Sequence, residues 1–177
     1  MADLVRRAGT GRFVDGTDVV WSVAEGQKGR RWREVRTRDG VVLSSLLLET
    51  FPDRRFAHLE LTTAAGLLTL HPEADGTING NVVRAAGIEH IAGVPWPAGA
   101  LLIVHGSPTA LAAAASSVRG GGAEPAEGER PIVAVDPSLG VRAASVPAAG
   151  LARHPIDADG LPILTAGSSW PLELEAR

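Results

Sequence analysis

Four side chains, one histidine–carboxylate pair and two further histidines, are the best placed for chemistry. His58 and Glu60 sit two apart in FAHLELTT, alternating with Leu59 and Leu61. Residues i and i+2 of a strand share a face. The pair is therefore an acid–base couple, a pair of metal ligands, or the polar outer face of a strand whose leucines point to the core. His90 and His105 flank VPWP. If the strands on either side pair with each other, the two imidazoles converge, and a carboxylate such as Glu89 or Glu60 would complete a metal site. Two features weigh against a metal. Glu89 is adjacent to His90 and points to the other face of its strand, and no HxH, HxxxH or HExxH spacing occurs. The chain has no cysteine, which excludes disulfides, thiolate ligands and cysteine nucleophiles. No metal and no cofactor are expected, and His58, Glu60, His90 and His105 stand as acid–base candidates.

Other groups are weaker. RRWRE, residues 30–34, is a local basic cluster around Trp32; an arginine fork there could meet a phosphate or carboxylate, or the cluster is a solvated face with Trp32 turned inward. One hydroxyl of Ser44-Ser45 faces the interior of an apolar strand. GGGAEPAEGER matches no phosphate-binding loop, and no serine sits in a GxSxG elbow. Asp157 and Asp159 in DADG most simply cap a turn. His71 and His154 each precede a proline and read as strand-end residues.

The elements that must position these groups are mostly strands. The chain has 177 residues, 45% of them hydrophobic and 21% charged, which fits one globular domain. A net charge of −3 argues against a nucleic-acid partner. Between residues 12 and 105, strand-like runs alternate with tight turns at Asp15-Gly16, Asp39-Gly40, Pro52-Asp53 and Asp75-Gly76. Asp-Gly between strand formers is a strong hairpin signal, and the spacing predicts an antiparallel meander. No helical pattern separates these strands, so βαβ units and a parallel sheet are not expected. A meander of this length must curl, because twist accumulates. One helix is predicted, SPTALAAAASSV, Ser107 to Val118, with a capping serine and proline at its start. PIVAVD and GVRAASV form a further hairpin, and two strands follow the Asp159-Gly160 turn. Residues 1–11 are expected to be a flexible N-terminus and residues 120–130 a mobile loop.

VVLSSLLLE and ALLIV are apolar on both faces. Either the long loops and a partner subunit cover the second face, or it lines a cavity that the thin alanine helix does not fill. The cavity reading assigns its lining to Trp21, Trp32, Leu46, Leu48, Leu59, Leu61, Trp96, Leu102 and Val104. A one-residue error in register would exchange each strand pair for its neighbours. Trp96, held between Pro95 and Pro97, is expected at the rim as a lip.

The order RRWREVRTRDGVVLSSLLLE, RRFAHLELTT, DGTINGNVV and IDADGLPILTAGSSWPLELE resembles that of the bacterial glycolipid-binding family, itself similar to the lipoprotein-carrier half-barrels. The most recognisable part is Asp157, Asp159, Gly160, Leu161 and Pro162. The resemblance implies a sheet wrapped around helical material, an apolar ligand and a binding role. It carries over no catalytic residue, and SPTALAAAASSV stands where that family has a Thr- and Asn-rich segment.

Together these readings predict a mainly β, single barrel-like domain: an antiparallel meander curved into a barrel or half-barrel with one short helix. Three functions follow from it: binding of a lipid-like small molecule in the concavity, an isomerase or cyclase acting on such a molecule, or a homodimer that buries the second apolar face. The N-terminus has no signal-peptide pattern and no run reaches about 18 apolar residues, so a cytoplasmic protein without a membrane span is expected.

Overall fold

A computed structural model describes residues 6–120, 128–152 and 156–161. Its first eight strands are β1 (Arg6–Arg12), β2 (Asp18–Gly26), β3 (Gly29–Arg38), β4 (Val41–Thr50), β5 (Phe56–Thr63), β6 (Gly66–Pro72), β7 (Thr77–Arg84) and β8 (Gly87–Pro95). They form one antiparallel sheet in sequence order. The predicted turns make it so. Asp39 and Gly40 both take positive φ, 51° and 78°, the geometry that matches hairpin twist. At Asp15 the carboxylate accepts from Thr17 N at 2.9 Å, and at Asp75 from Thr77 N at 3.0 Å. Residues 6–11, predicted as a flexible N-terminus, pair with β2 as part of β1. β1 and β8 end the strand order and do not pair with each other.

The second layer departs from the sequence prediction. β9 (Leu101–Val104), α1 (Pro108–Gly120), β10 (Glu129–Val135) and β11 (Val141–Pro147) follow, then the short α2 (Ala148–Ala152). β10 and β11 form the expected hairpin, but β9 runs parallel to β10, so β9–α1–β10 is a βαβ unit. β8 and β9 belong to different sheets; the Pro95–Pro97 connection carries the chain out of the meander instead of back along it. This also explains why β9 is apolar on both faces. Leu102 and Val104 pack with the meander's core, while Leu101 and Ile103 pack with Leu111, Ala114 and Val118 of α1. The strands predicted after Leu161, most of the 120–130 loop, His154 and Trp170 lie outside the described residues.

The inner face of the meander is the core. Trp32, Leu46, Leu48, Leu59, Leu61, Leu68 and Leu70 are buried against Leu102, Val104, Ala113, Val133 and Val135. The outer face carries one uncharged row that crosses the whole sheet: Thr10, Val20, Val35, Ser45, Thr62, Leu67, Val83 and Ile88 are successive cross-strand partners. Val20 is 55% and Ile88 65% exposed. No helix among the described residues is long and apolar enough to cross a membrane.

A buried polar lock fixes α1 on the sheet. Period two turns Arg30, Trp32 and Glu34 of β3 inward and Arg31 and Arg33 outward. Glu34, 2% exposed, accepts from Ser107 Oγ at 2.8 Å and from Thr109 N at 3.0 Å. Ser107 is the N-cap, its Oγ accepting from Ala110 N at 3.1 Å. Arg36 adds Nε to Ser44 Oγ at 2.8 Å and Nη1 to the Gly106 carbonyl at 2.7 Å. Burial pushes the Glu34 carboxyl above its usual range, against the hydrogen bonds from Thr109 and Ser107 and the charge of Arg36.

Candidate functional site

A half-open cleft lies in the seam between the meander and the α/β layer. Leu48, Thr50, Arg54 and Phe56 form one wall; Ala100, Leu101, Leu102, Ala113, Ala114 and Ser117 form the other. Alanine is what leaves the gap. At Ala113 and Ala114 the helix offers only single methyl groups to the lining. The cleft encloses ≈ 20 Å³ and, with the open space at its mouth, measures ≈ 280 Å³. The enclosed part is just enough for one water-sized group, which needs about 10–15 Å³.

Local irregularities aim polar groups at this gap. The register between β4 and β5 shifts at Glu49/Thr50, so Thr50 pairs with Phe56 instead of Ala57. A bulge of this kind re-aims side chains, and here both Thr50 and Phe56 turn inward. The β4–β5 turn closes through Phe51 N to Arg55 O at 2.8 Å and Arg54 N to Phe51 O at 2.9 Å. Arg54 sits at φ 70°, the left-handed position that hairpins of this form usually give to glycine. The neighbouring β2–β3 turn presses on the same strand end: a Cβ on Gly29 would lie 1.9 Å from the Thr50 carbonyl oxygen.

The polar edge is short of partners. Among the described residues, Thr50 Oγ1 and Arg54 Nη1 are buried and have no hydrogen-bond partner. Arg54 Nη2 meets Glu25 Oε1 at 2.9 Å, and Arg30 Nη2 meets Glu25 Oε2 at 3.4 Å, so two guanidiniums share one carboxylate. Arg30 lies over the Trp32 ring at 5.7 Å and donates Nη1 to the Asp159 carbonyl. Burial, and then the charge of Arg54, pull the Arg30 guanidinium below its ordinary value. The carboxylates of Asp157 and Asp159 answer Arg7 at 2.7 and 2.6 Å. Asp157 also caps its turn, accepting from Asp159 N at 2.9 Å and Leu161 N at 3.0 Å.

Of the lining predicted from sequence, Leu48 and Leu102 border the cleft. Trp21, Trp32, Leu46, Leu59, Leu61 and Val104 are buried in the core around it. Trp96 packs edge-on against Phe56, ring centres 5.5 Å apart, and so backs the cleft wall. The acid–base candidates are elsewhere. His58 and Glu60 share the outer face, 3.2 Å apart. His90 meets Asn81 Oδ1 at 2.6 Å on that same face. His105 is exposed just beyond β9, and the pairing that would bring it to His90 does not occur. No group of three or more His, Asp or Glu among the described residues could hold a metal. Sequence reasoning missed Thr50, Arg54 and Ser117. Arg30 belongs to the basic cluster RRWRE, but a left-handed arginine and a bulge leave no sequence signature.

No family model, curated protein or solved structure matches this chain.

Proposed function

We propose that this protein binds a small apolar or amphipathic molecule, with the meander acting as a half-barrel and the ligand seated between its concave face and α1. The observation that carries this reading is the cleft: Leu48, Phe56 and Leu102 offer apolar wall, the alanines of α1 leave space, and Thr50, Arg54 and Ser117 form a polar edge. Sites of this kind combine apolar walls with a few fixed polar groups. The enclosed part admits only one end of such a molecule, and the rest of it lies in the open mouth. The same ligand class is what the resemblance to the glycolipid-binding family implies, and membership of that family and a cytoplasmic setting belong to the proposal. Binding is preferred to catalysis because His58, Glu60, His90 and His105 do not border the cleft.

Native mass spectrometry of the purified protein tests the reading. A copurified or added short-chain amphipath should appear as a discrete one-to-one adduct. A protein that flies bare and takes up no such molecule would overturn it.

A second reading, a homodimer, has the uncharged outer row from Thr10 to Ile88 in its favour, since a second copy meets that row without charge repulsion. Sedimentation velocity across concentration decides it: a fixed monomer mass removes this reading.

A further inference from the structure

The ligand's head group is legible in the polar edge of the cleft. We propose that the site selects amphipaths with an anionic head, a carboxylate or phosphate, held by Arg54 and Thr50 as these side chains turn from their buried positions towards the cleft. This rests on the binding reading above and adds the charge of the ligand.

Three independent features point to an anion. First, Arg54 Nη1 and Thr50 Oγ1 are donors, both are buried, and neither has a partner among the described residues. Thr50 is 5% exposed and borders the cleft. An unpaired buried donor is costly, and a charged acceptor satisfies it best. Second, two guanidiniums are crowded together beside the cleft, the charge of Arg54 opposing that of Arg30. Arg7 bridges Asp157 and Asp159, and Asp159 also offsets the charge of Arg30. Arg30 and Arg54 share Glu25. Third, Arg54 occupies a left-handed backbone position where a glycine would be unstrained. Strained residues of this sort cluster at ligand clamps. The apolar walls lower the local dielectric and strengthen any ion pair formed between them.

Isothermal titration with three probes tests this. Octanoate carries chain and charge, 1-octanol the chain alone, acetate the charge alone. Octanoate should bind about tenfold or more tighter than octanol, the scale of a charge-assisted hydrogen bond, and more tightly than acetate. Arg54→Gly and Thr50→Val should each bring octanoate towards octanol while leaving octanol binding in place. Both substitutions suit their sites sterically, so a folded variant is expected; circular dichroism checks it. Octanol binding as tightly as octanoate to the wild type overturns the anion selectivity and leaves the binding reading standing. Acetate equal to octanoate overturns the amphipathic ligand and leaves an anion site. Failure of octanoate and octanol alike overturns both.

Discussion

Arg54 sets a conflict between stability and binding at a single residue. Its φ of 70° costs a non-glycine side chain about 1–3 kcal/mol, and its partly exposed pair with Glu25 returns at most about 1 kcal/mol. Arg54→Gly should therefore melt at the same temperature as the wild type or higher while losing its preference for octanoate. A clear fall in melting temperature would show that the arginine is there for the fold. Glu34 makes a different prediction. Its carboxyl is raised above the ordinary value of 4.5 by burial, so the folded protein holds that proton more tightly than the unfolded chain. Stability contributed by this group then falls as pH rises from 4.5 towards the folded value. Glu34→Gln should flatten that decline in urea denaturation curves taken across pH. Identical slopes for the two proteins would contradict it. Ser107→Ala removes the N-cap and one donor to Glu34, and should cost about 1–2 kcal/mol in the same assay.

At the scale of elements, α1 is the wall that decides whether a cleft exists. Ser117→Leu introduces a good helix former and puts a branched side chain into the mouth; octanoate binding should fall about tenfold or more with no loss of helix content by circular dichroism. Unaltered binding would place the ligand elsewhere. How well these elements can be read from sequence differs for physical reasons. Period-two alternation in His58–Leu61 and the Asp-Gly turns are local signals, so the meander and its inward leucines are legible. So is α1, from Ser107, Pro108 and the alanine run. The parallel pairing of β9 with β10 is not, because it joins Leu101–Val104 to Ile132–Val135 across a helix, and a short all-apolar strand carries no mark of its partner. The bulge that sets Thr50 beside Phe56 is likewise a product of pairing, which leaves the polar edge of the cleft hidden in the sequence.

For the whole molecule, a long antiparallel sheet packs its inner face against a small α/β layer, with a cleft left in the seam between them. The outer face divides into an uncharged row and flanking polar rows, among them Ser22, Arg33, Leu47, Glu60, Thr69, Asn81 and His90. His58, Glu60 and His90 belong to this polar surface, His105 stands beyond β9, and the gap lies on the inner side. The central claim is that the seam between sheet and α1 takes up a small amphipath. Its most direct test is an amide ¹H–¹⁵N NMR titration of the full chain with octanoate. Saturable shifts should concentrate at Leu48–Phe56, Ala100–Leu102 and Ala113–Ser117, with Trp96 following through its contact with Phe56. Shifts that fail to saturate, or that fall on the outer row from Val20 to Ile88 while the seam stays silent, would contradict it.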